Sequence, residues 1–258
     1  MDVQNRRDTR NIEIDRVGIK NIRYPISLLD MNHQHQHTVA DINMYVSLPH
    51  RYKGTHMSRF VEILSQYSRE IDIRNVGEIL LIMKEVMRSS EAHLHMQFPY
   101  FIDKKAPVSK KSALMDYLCI LEAHLNRKNK LDEILGIQVP INALCPCSKE
   151  ISRYGAHNQR GIVSLKLRMK SFIWIEELIE IVEQSASSRV YALLKRSDEK
   201  YVTERAYRNP VFVEDIVRKI SVKLLKDKRV SWFRVESENM ESIHNHNAYA
   251  SVERKLKA

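Results

Sequence analysis

An α+β fold built on antiparallel sheets is what this 258-residue sequence predicts, and two observations carry the prediction. Apolar residues alternate with period two through several long segments and recur at helical spacing in others. The two patterns come in the order strand, strand, helix, helix, strand, strand, and that order comes twice. A polar stretch, Asn126-Arg-Lys-Asn-Lys130, separates the rounds. The expected division is a flexible N-terminus over 1–10, a first module over 11–128 and a second over 129–258. Each module is expected to be an antiparallel four-stranded sheet with a helix pair on one face.

The first ten residues are polar and charged, and are expected to fray. From Asn11 to Leu29, Ile12, Ile14, Val17, Ile19, Ile22 and Tyr24 mostly alternate, predicting a strand with an irregularity near Gly18. A second strand fits His37 to Leu48. Met57, Phe60, Val61, Leu64 and Tyr67 share a helical face, with Thr55 as the expected N-cap, and Val76, Ile79, Leu80, Met83 and Met87 share another. His93 to Ile102 and Ser112 to Leu125 read as strands.

The second round opens with strands over Leu131 to Leu144 and Gly161 to Met169. Trp174 to Ser185 reads as a helix through Ile175, Leu178, Ile179 and Val182. Asn209-Pro210 is expected to open another, with Asn as N-cap and Pro at the first helical position. Its stripe is Val213, Ile216, Val217, Ile220 and Leu224. Arg196 to Glu204 reads as a polar loop between the two helices. Val230 to Val235 and Asn247 to Val252 close the chain as strands. Open sheets leave unpaired edges, which pairing between subunits into barrels removes, so a homo-oligomer is expected.

Composition narrows the function. No apolar run approaches the ~20 residues a membrane-crossing helix needs. The opening Met-Asp-Val-Gln-Asn-Arg-Arg-Asp carries no apolar stretch behind its charges, so no secretory signal is expected. Three cysteines without framework spacing suit a reducing compartment, and a cytoplasmic protein is the expectation. The net charge of +10 suits nucleic acid, an anionic surface or a small polyanion such as a nucleoside triphosphate. Only two Trp and six Phe are available for base stacking, so neither nucleic acid nor a membrane is the expected partner.

The densest chemistry lies between Cys145 and Arg160: Cys-Pro-Cys-Ser-Lys-Glu-Ile-Ser-Arg-Tyr-Gly-Ala-His-Asn-Gln-Arg. Thiolate and imidazole suit Zn²⁺ or a similar transition metal. A structural zinc needs four protein ligands, whereas here there is no second Cys-x-x-Cys and no His-x₃-His. The pattern points to a catalytic metal with an open position. If the Cys145-Pro146-Cys147 segment is extended, its two thiols point apart, and one of them is a ligand. The other is a reserve ligand, a redox partner or simply a small residue. His157 lies twelve residues after Cys145. Glu199, in the polar loop, is either an oxygen ligand or, as composition alone favours, a solvated loop residue. Cys119, between Leu118 and Ile120, reads as a core thiol.

Glu214 lies beside the apolar stripe at the start of its helix. Either it serves the helix dipole or it accepts paired N–H bonds from a purine edge. His50-Arg-Tyr-Lys-Gly-Thr-His-Met-Ser-Arg59 crowds basic residues, Lys53, His56 and Arg59 among them, at a helix start where the dipole favours acids. A bound anion resolves that conflict, and so does splaying into water. His244 and His246 lie between the last two strands, where they serve as general acid or base or simply as loop residues. The tract Asn32-His-Gln-His-Gln-His37 has a metal-binding composition, but alternate positions at a strand's start project into solvent.

Taken together these motifs resemble the prokaryotic type IB GTP cyclohydrolase I family of the tunnelling-fold superfamily. The resemblance runs through Val17-Gly-Ile-Lys-Asn21, Lys53-Gly-Thr-His-Met-Ser-Arg-Phe60, Pro140 to Arg160, Asn209-Pro-Val-Phe-Val-Glu214 and Glu236 to Tyr249. It implies tandem tunnelling-fold modules, subunits pairing into barrels, and a homotetramer. The implied activity is conversion of GTP and water to 7,8-dihydroneopterin triphosphate and formate, in folate biosynthesis. On the matching positions it implies one divalent metal (Zn, Mn or Fe) on Cys145, His157 and Glu199, with Glu214 as guanine anchor and Cys147 and His244 as accessory catalytic residues. Basic residues then hold the triphosphate. A 7-deazaguanine nitrile reductase of the same fold, with a cysteine nucleophile and a nicotinamide cofactor, is one alternative, which Cys-Pro-Cys with a downstream His disfavours. A basic RNA-binding module with a structural metal is another. A zinc deaminase is disfavoured because neither His-x-Glu nor Pro-Cys-x-x-Cys occurs.

Overall fold

A computed structural model describes residues 4, 6–67 and 73–256. It is α+β, with long antiparallel strands and six α-helices among the described residues. Two compact units share it: 1–99 with 120–135, and 100–119 with 136–258. Strands β3 (Ala92–Lys105) and β4 (Ser112–Leu125) contribute to both. The strand order among the described residues is β1-β2-β3-β4-β5-β6-β8-β9, with β7 on β5.

In the first unit, β1 (Ile14–Leu29) pairs antiparallel with β2 (His35–Leu48), which pairs with β3. The β1 register slips on both sides of Gly18, between Ile14 and Val17 and between Ile19 and Ile22. A Cβ at Gly18 would lie 1.9 Å from the Met44 carbonyl oxygen, so only glycine permits this approach. Helix α1 (Ser58–Gln66) buries Phe60, Ile63 and Leu64, while Met57 and Val61 of the expected stripe stay exposed. Helix α2 (Val76–Met87) buries Val76, Ile79, Leu80, Met83 and Met87, as its spacing predicts. Each fully buried aliphatic side chain contributes about 1.5–3 kcal/mol, so docking rather than propensity fixes these helices. Residues 1–3 and 5 of the expected flexible N-terminus lie outside the described residues. Those that are described run beside 51–54: Arg7 bridges Tyr52, and the Lys53 N–H donates to the Arg6 carbonyl at 3.0 Å. His33, His35 and His37 are exposed.

In the second unit, β6 (Asn158–Met169) pairs with β8 (Val230–Asn239), and β8 with β9 (Ala248–Lys255). The two-residue β7 (Ser188–Arg189) joins β5 (Leu131–Leu144) at Ile141 and Asn142. Helices α4 (Ile175–Glu183) and α6 (Val213–Lys226) bury the predicted stripes. Three local expectations give way. Cys145-Pro-Cys is not extended throughout: Cys145 is the N-cap of a short helix, α3 (Pro146–Ile151), because proline at the first helical position has no N–H to leave unpaired. The polar Arg196 stretch is not a loop but helix α5 (Arg196–Arg208). Asn209 ends α5 instead of opening α6, whose N-cap is Phe212.

Asp198 explains α5. Its carboxylate is fully buried and accepts the Val108 and Ser109 N–H groups at 2.8 Å, the Ser109 hydroxyl at 2.6 Å and the Lys195 N–H at 2.9 Å. Burial raises its pKa, but these hydrogen bonds outweigh burial and hold the group well below the usual carboxylate range. Asn209 is occupied by the Ala186 carbonyl, to which its side-chain amide donates at 2.8 Å. Thr55 does not cap α1 either: Met57 stands there, without a side-chain cap bond. Cys119 is a core thiol, and burial pushes its pKa up. Among the described residues no helix is long and apolar enough to cross a membrane.

One ion pair of the second unit is almost dry. Lys104 and Glu183 have side chains 8% and 3% exposed and are in direct contact, and Tyr117 donates to Glu183 at 2.8 Å. Burial lowers the Lys104 pKa, against the attraction of Glu183. Removing one partner of such a pair leaves a buried charge unpaired, which costs about 3–5 kcal/mol, whereas an apolar replacement of both is often near neutral. Glu183→Gln is therefore expected to lower unfolding free energy by about 3–5 kcal/mol in urea titrations. Lys104→Met combined with Glu183→Leu should recover most of that loss. Equal stabilities for the single variant and the wild type would show that the pair is hydrated.

Candidate active site

The end of β5 positions the cysteines. The Leu144 N–H donates to the Ser187 hydroxyl at 2.9 Å, and the Leu144 carbonyl accepts the Val211 N–H at 3.1 Å. The next residue, Cys145, donates its N–H to the His157 carbonyl at 3.1 Å. Its sulfur then sits at the α3 N-terminus, where it accepts the Ser148 N–H at 3.4 Å. Cys147 lies one helical position past Pro146 and is exposed, whereas Cys145 is half-buried.

His157 is fixed at backbone and ring. Its N–H donates to the Ser148 hydroxyl at 2.9 Å. Its Nδ1 lies 2.9 Å from Gln159 Oε1, and the Gln159 amide donates to Glu241 Oε1 at 3.1 Å. That chain sets the amide orientation, places the proton on Nδ1 and leaves Nε2 with its lone pair. The Met240 N–H, held by the Arg160 carbonyl at 2.9 Å, brings Glu241 and Ser242 alongside, with the Ser242 hydroxyl 3.4 Å from His157 Nδ1. Gln159, Glu241 and Ser242 were not among the sequence candidates. Gln159 carried a faint signal, two residues after His157, but the strand expected from sequence began only at Gly161, whereas β6 starts at Asn158. A 530 Å³ cavity opens beside Gln159 and Ser242, with Leu194 and Val202 also on its wall.

Glu199 lies in the first turn of α5, exposed, next to the buried Asp198. Lys149 ties α3 to the other end of α5, donating to the Tyr207 carbonyl at 2.7 Å. Cys145 and His157 are therefore neighbours through their backbones, but with Glu199 they do not bring three ligand atoms within 4.8 Å of one another. The donor chemistry still fits a borderline divalent cation: a thiolate at a helix start, an imidazole with its tautomer set, and a carboxylate on a packed helix.

Glu214 lies in the first turn of α6 and is exposed. The capping duty is taken by Asp215, which accepts the Phe212 N–H at 3.1 Å. His244 and His246 are exposed in the β8–β9 loop, with rings stacked at 5.1 Å. At the start of α1, Lys53 is exposed and His56 half-buried, and the first turn contains no acid. Arg59 instead turns to the end of α2 and donates to the Val86 carbonyl at 3.2 Å.

The first unit holds a cluster that sequence reading missed. Glu91, His93 and His124 bring ligand atoms within 4.8 Å of one another, the one such group among the described residues. The rings of His93 and His124 stack at 4.2 Å and 5°. Burial, aided by His124 and Arg16, pushes His93 down to about 4. Its signal in the sequence was faint, because Glu91 and His93 sit 31 or more residues from His124 and only the β3–β4 pairing joins them.

A family model described as "Type I GTP cyclohydrolase folE2" matches residues 1–250. The chain is 61% identical to GTP cyclohydrolase FolE2 of Syntrophotalea carbinolica, covering 98% of this chain and 94% of that one. It is 55% identical to GTP cyclohydrolase FolE2 of Geobacter metallireducens, covering 99% and 97%. Among solved structures, uricase from Arthrobacter globiformis superposes with a TM-score of 0.55 at 7% identity, covering 94% of each chain. Urate oxidase from Bacillus subtilis 168 gives 0.54 at 8% identity, covering 93% of this chain and 98% of that one. At such identities the likeness shows the fold alone, which is the tunnelling fold expected above. The sequence relatives go further, since they match nearly the whole chain at high identity. The chain belongs to the type I GTP cyclohydrolase FolE2 family and is a GTP cyclohydrolase.

Proposed function

We propose that this GTP cyclohydrolase converts GTP and water to 7,8-dihydroneopterin triphosphate and formate at a site built on Cys145, His157 and Glu199, which would hold one divalent metal. The observation that carries the reading is the relay Glu241–Gln159–His157 beside Cys145, which leaves an imidazole Nε2 free on a residue whose backbone is bonded to that of Cys145. Zn, Mn or Fe bound there supplies Lewis acidity and lowers the pKa of water. The protein's own groups do the rest. Glu214, relieved of capping by Asp215, accepts the N–H edge of guanine and sets the purine in place. Water adds at C8 and the imidazole ring opens to a formamide; a second water cleaves the formamide C–N bond to release formate, and the later ring closure returns one water. Ribose opening, rearrangement and pterin closure then each need a proton moved. His244 and Cys147, both exposed beside this region of the chain, are the groups assigned to those transfers.

Lys53, His56 and Arg59 are assigned to the triphosphate, at a helix start without acid or side-chain cap. The end strands β1 and β9 leave backbone groups unpaired along one side. Pairing of those strands between subunits, into barrels and a homotetramer, satisfies them. The tandem modules over 11–128 and 129–258 are the repeating halves of that assembly, and three free thiols accord with a cytoplasmic setting.

The function is tested by formate release and pterin fluorescence from GTP. Protein reconstituted with Mn²⁺ or Zn²⁺ is expected to turn over, and its chelated form is not. Cys145→Ala should lose metal and turnover together, while Cys147→Ala retains most of its metal. The reverse pattern would move the thiolate ligand to Cys147, and no formate from any metal-loaded form would end the reading.

The relay makes its own forecast. Gln159→Ala frees the His157 tautomer and should weaken metal binding by ~10–100-fold, as loss of an outer partner of a metal-bound histidine does. Gln159→Glu, which keeps an acceptor for Nδ1–H, should recover part of it. Competition titrations with a chromophoric chelator measure both, and unchanged affinity in Gln159→Ala would remove the relay from the site.

Glu214→Gln keeps shape and leaves the Asp215 cap intact, but turns an acceptor oxygen into a donor facing guanine. The expected result is a folded, metal-replete protein with kcat/KM for GTP reduced ~10²-fold or more, on the scale of ~1.4 kcal/mol per decade. Unchanged kinetics would return Glu214 to helix electrostatics.

A further inference from the structure

We propose that Glu91, His93 and His124 form a second metal site, selective for a Zn²⁺-like borderline divalent cation, in the unit that does not carry Cys145. Two imidazoles and one carboxylate are a recurrent ligand set for such ions, with a position left for water. The three residues do not float. His93 lies in β3 and His124 in β4, and Glu91 immediately precedes β3. The Glu91 backbone is pinned to β2: its N–H donates to the Ser47 hydroxyl at 3.0 Å, and its carbonyl accepts the Ser47 N–H at 3.1 Å. The carboxylate is divided between two tasks. Oε1 accepts Arg127 Nε at 3.1 Å, and Arg127 reaches on to Glu13 at 2.9 Å. Oε2 faces His124 Nε2 at 2.8 Å. Arg127 thus orients the carboxylate as outer partners orient metal ligands, while the oxygen on the histidine side stays turned toward both rings.

The spacing is close to what an ion needs. Two atoms bound to one Zn²⁺ at about 2.0–2.1 Å lie no more than about 4 Å apart. Ligand atoms already within 4.8 Å of one another therefore reach it with shifts below an ångström. The His124–Glu91 contact alone is an ordinary ion pair, but an ion pair does not call for His93 stacked parallel on the same ring. Two cavities of 230 Å³ each flank the cluster. One has Glu122 and Asp132 on its wall, and the other has Glu13 and Asp15. Those carboxylates favour entry of a cation against two opposing charges: Arg16, which lines both cavities, and Arg127, which lines the second and is already paired with Glu91 and Glu13. A bound ion would clip β3 to β4, and whatever binds only the folded state stabilises it.

The test titrates metal-stripped protein with Co²⁺ and with Zn²⁺. The expected result for the wild type is two equivalents per chain. One Co²⁺ shows thiolate-to-metal charge transfer from Cys145, and the other shows only ligand-field bands. His93→Asn and His124→Asn should each weaken the second equivalent by at least about tenfold and keep the thiolate band. A chain with Cys145→Ala and His157→Ala should still bind one ion and melt at a higher temperature with Zn²⁺ than without. If the histidine variants do not fold by circular dichroism, that last chain decides alone. Zero equivalents there, or a second equivalent that persists undiminished in folded His93→Asn and His124→Asn, would overturn the site. A missing thiolate band would count against the Cys145 assignment and not against this one.

Discussion

The chemistry of this protein depends on how the chain leaves β5. Within two residues the backbone is committed three ways: Leu144 to Ser187 and to Val211, and Cys145 to His157. The first two bonds hold the segments that precede and follow α5, and the second of them also leads into α6. The third sets the thiol and the imidazole side by side. Only after these are made can the Cys145 sulfur cap α3 and the Gln159 relay reach His157. Site geometry here is thus a consequence of buried backbone satisfaction, which the fold must achieve anyway. A side-chain change at Ser187, far from any reacting group in sequence, acts on the position of Cys145 through one hydrogen bond.

Much of the fold was legible because its signals are long. Ten-residue alternation and the stripes of α2, α4 and α6 survive any local ambiguity, and all three stripes are buried as read. What was not legible is what tertiary contacts decide. Helix α5 has a polar surface and only Asp198 and Ala206 buried, so periodicity had nothing to register. Its anchor is a carboxylate whose partners, Val108 and Ser109, lie about ninety residues away. Asn209-Pro210 shows the opposite failure. A strong local start signal was overridden because the Asn amide is engaged by Ala186, and the following residues run extended to bond Leu144.

The candidate site divides the same way. Cys145 and His157 stand out in the sequence because reactive residue types crowd a short motif, whereas Glu199 and Glu214 were singled out by the family resemblance. The residues around His157, namely Gln159, Glu241 and Ser242, are ordinary polar side chains, and nothing in composition separates them from solvated ones. The Glu91, His93 and His124 cluster was missed for a topological reason, since its members meet only across paired strands. The basic start of α1 was half legible. The first turn of α1 contains no acid, as its sequence shows, but the contact of Arg59 with the Val86 carbonyl at the end of α2, where the dipole favours its charge, was not legible.

Two pairs of neighbouring carboxylates show how the fold frees groups for chemistry. In α5, Asp198 is buried, accepts four hydrogen bonds and is held ionised, and Glu199 beside it is exposed. In α6, Asp215 accepts the Phe212 N–H that the helix start leaves over, and Glu214 beside it is exposed. Successive residues on a helix point about 100° apart, so one member can serve the protein while the next faces away. Asp suits the structural duty, because its short side chain reaches back to its own helix start with little rotamer entropy to lose. Glu suits the other, because its extra methylene carries the charge outward toward a ligand. A carboxylate engaged by four donors has no acceptor capacity left for a metal or a purine. The division of labour lets one helical turn hold one negative charge in place for stability and leave its neighbour exposed, as the proposed roles of Glu199 and Glu214 require.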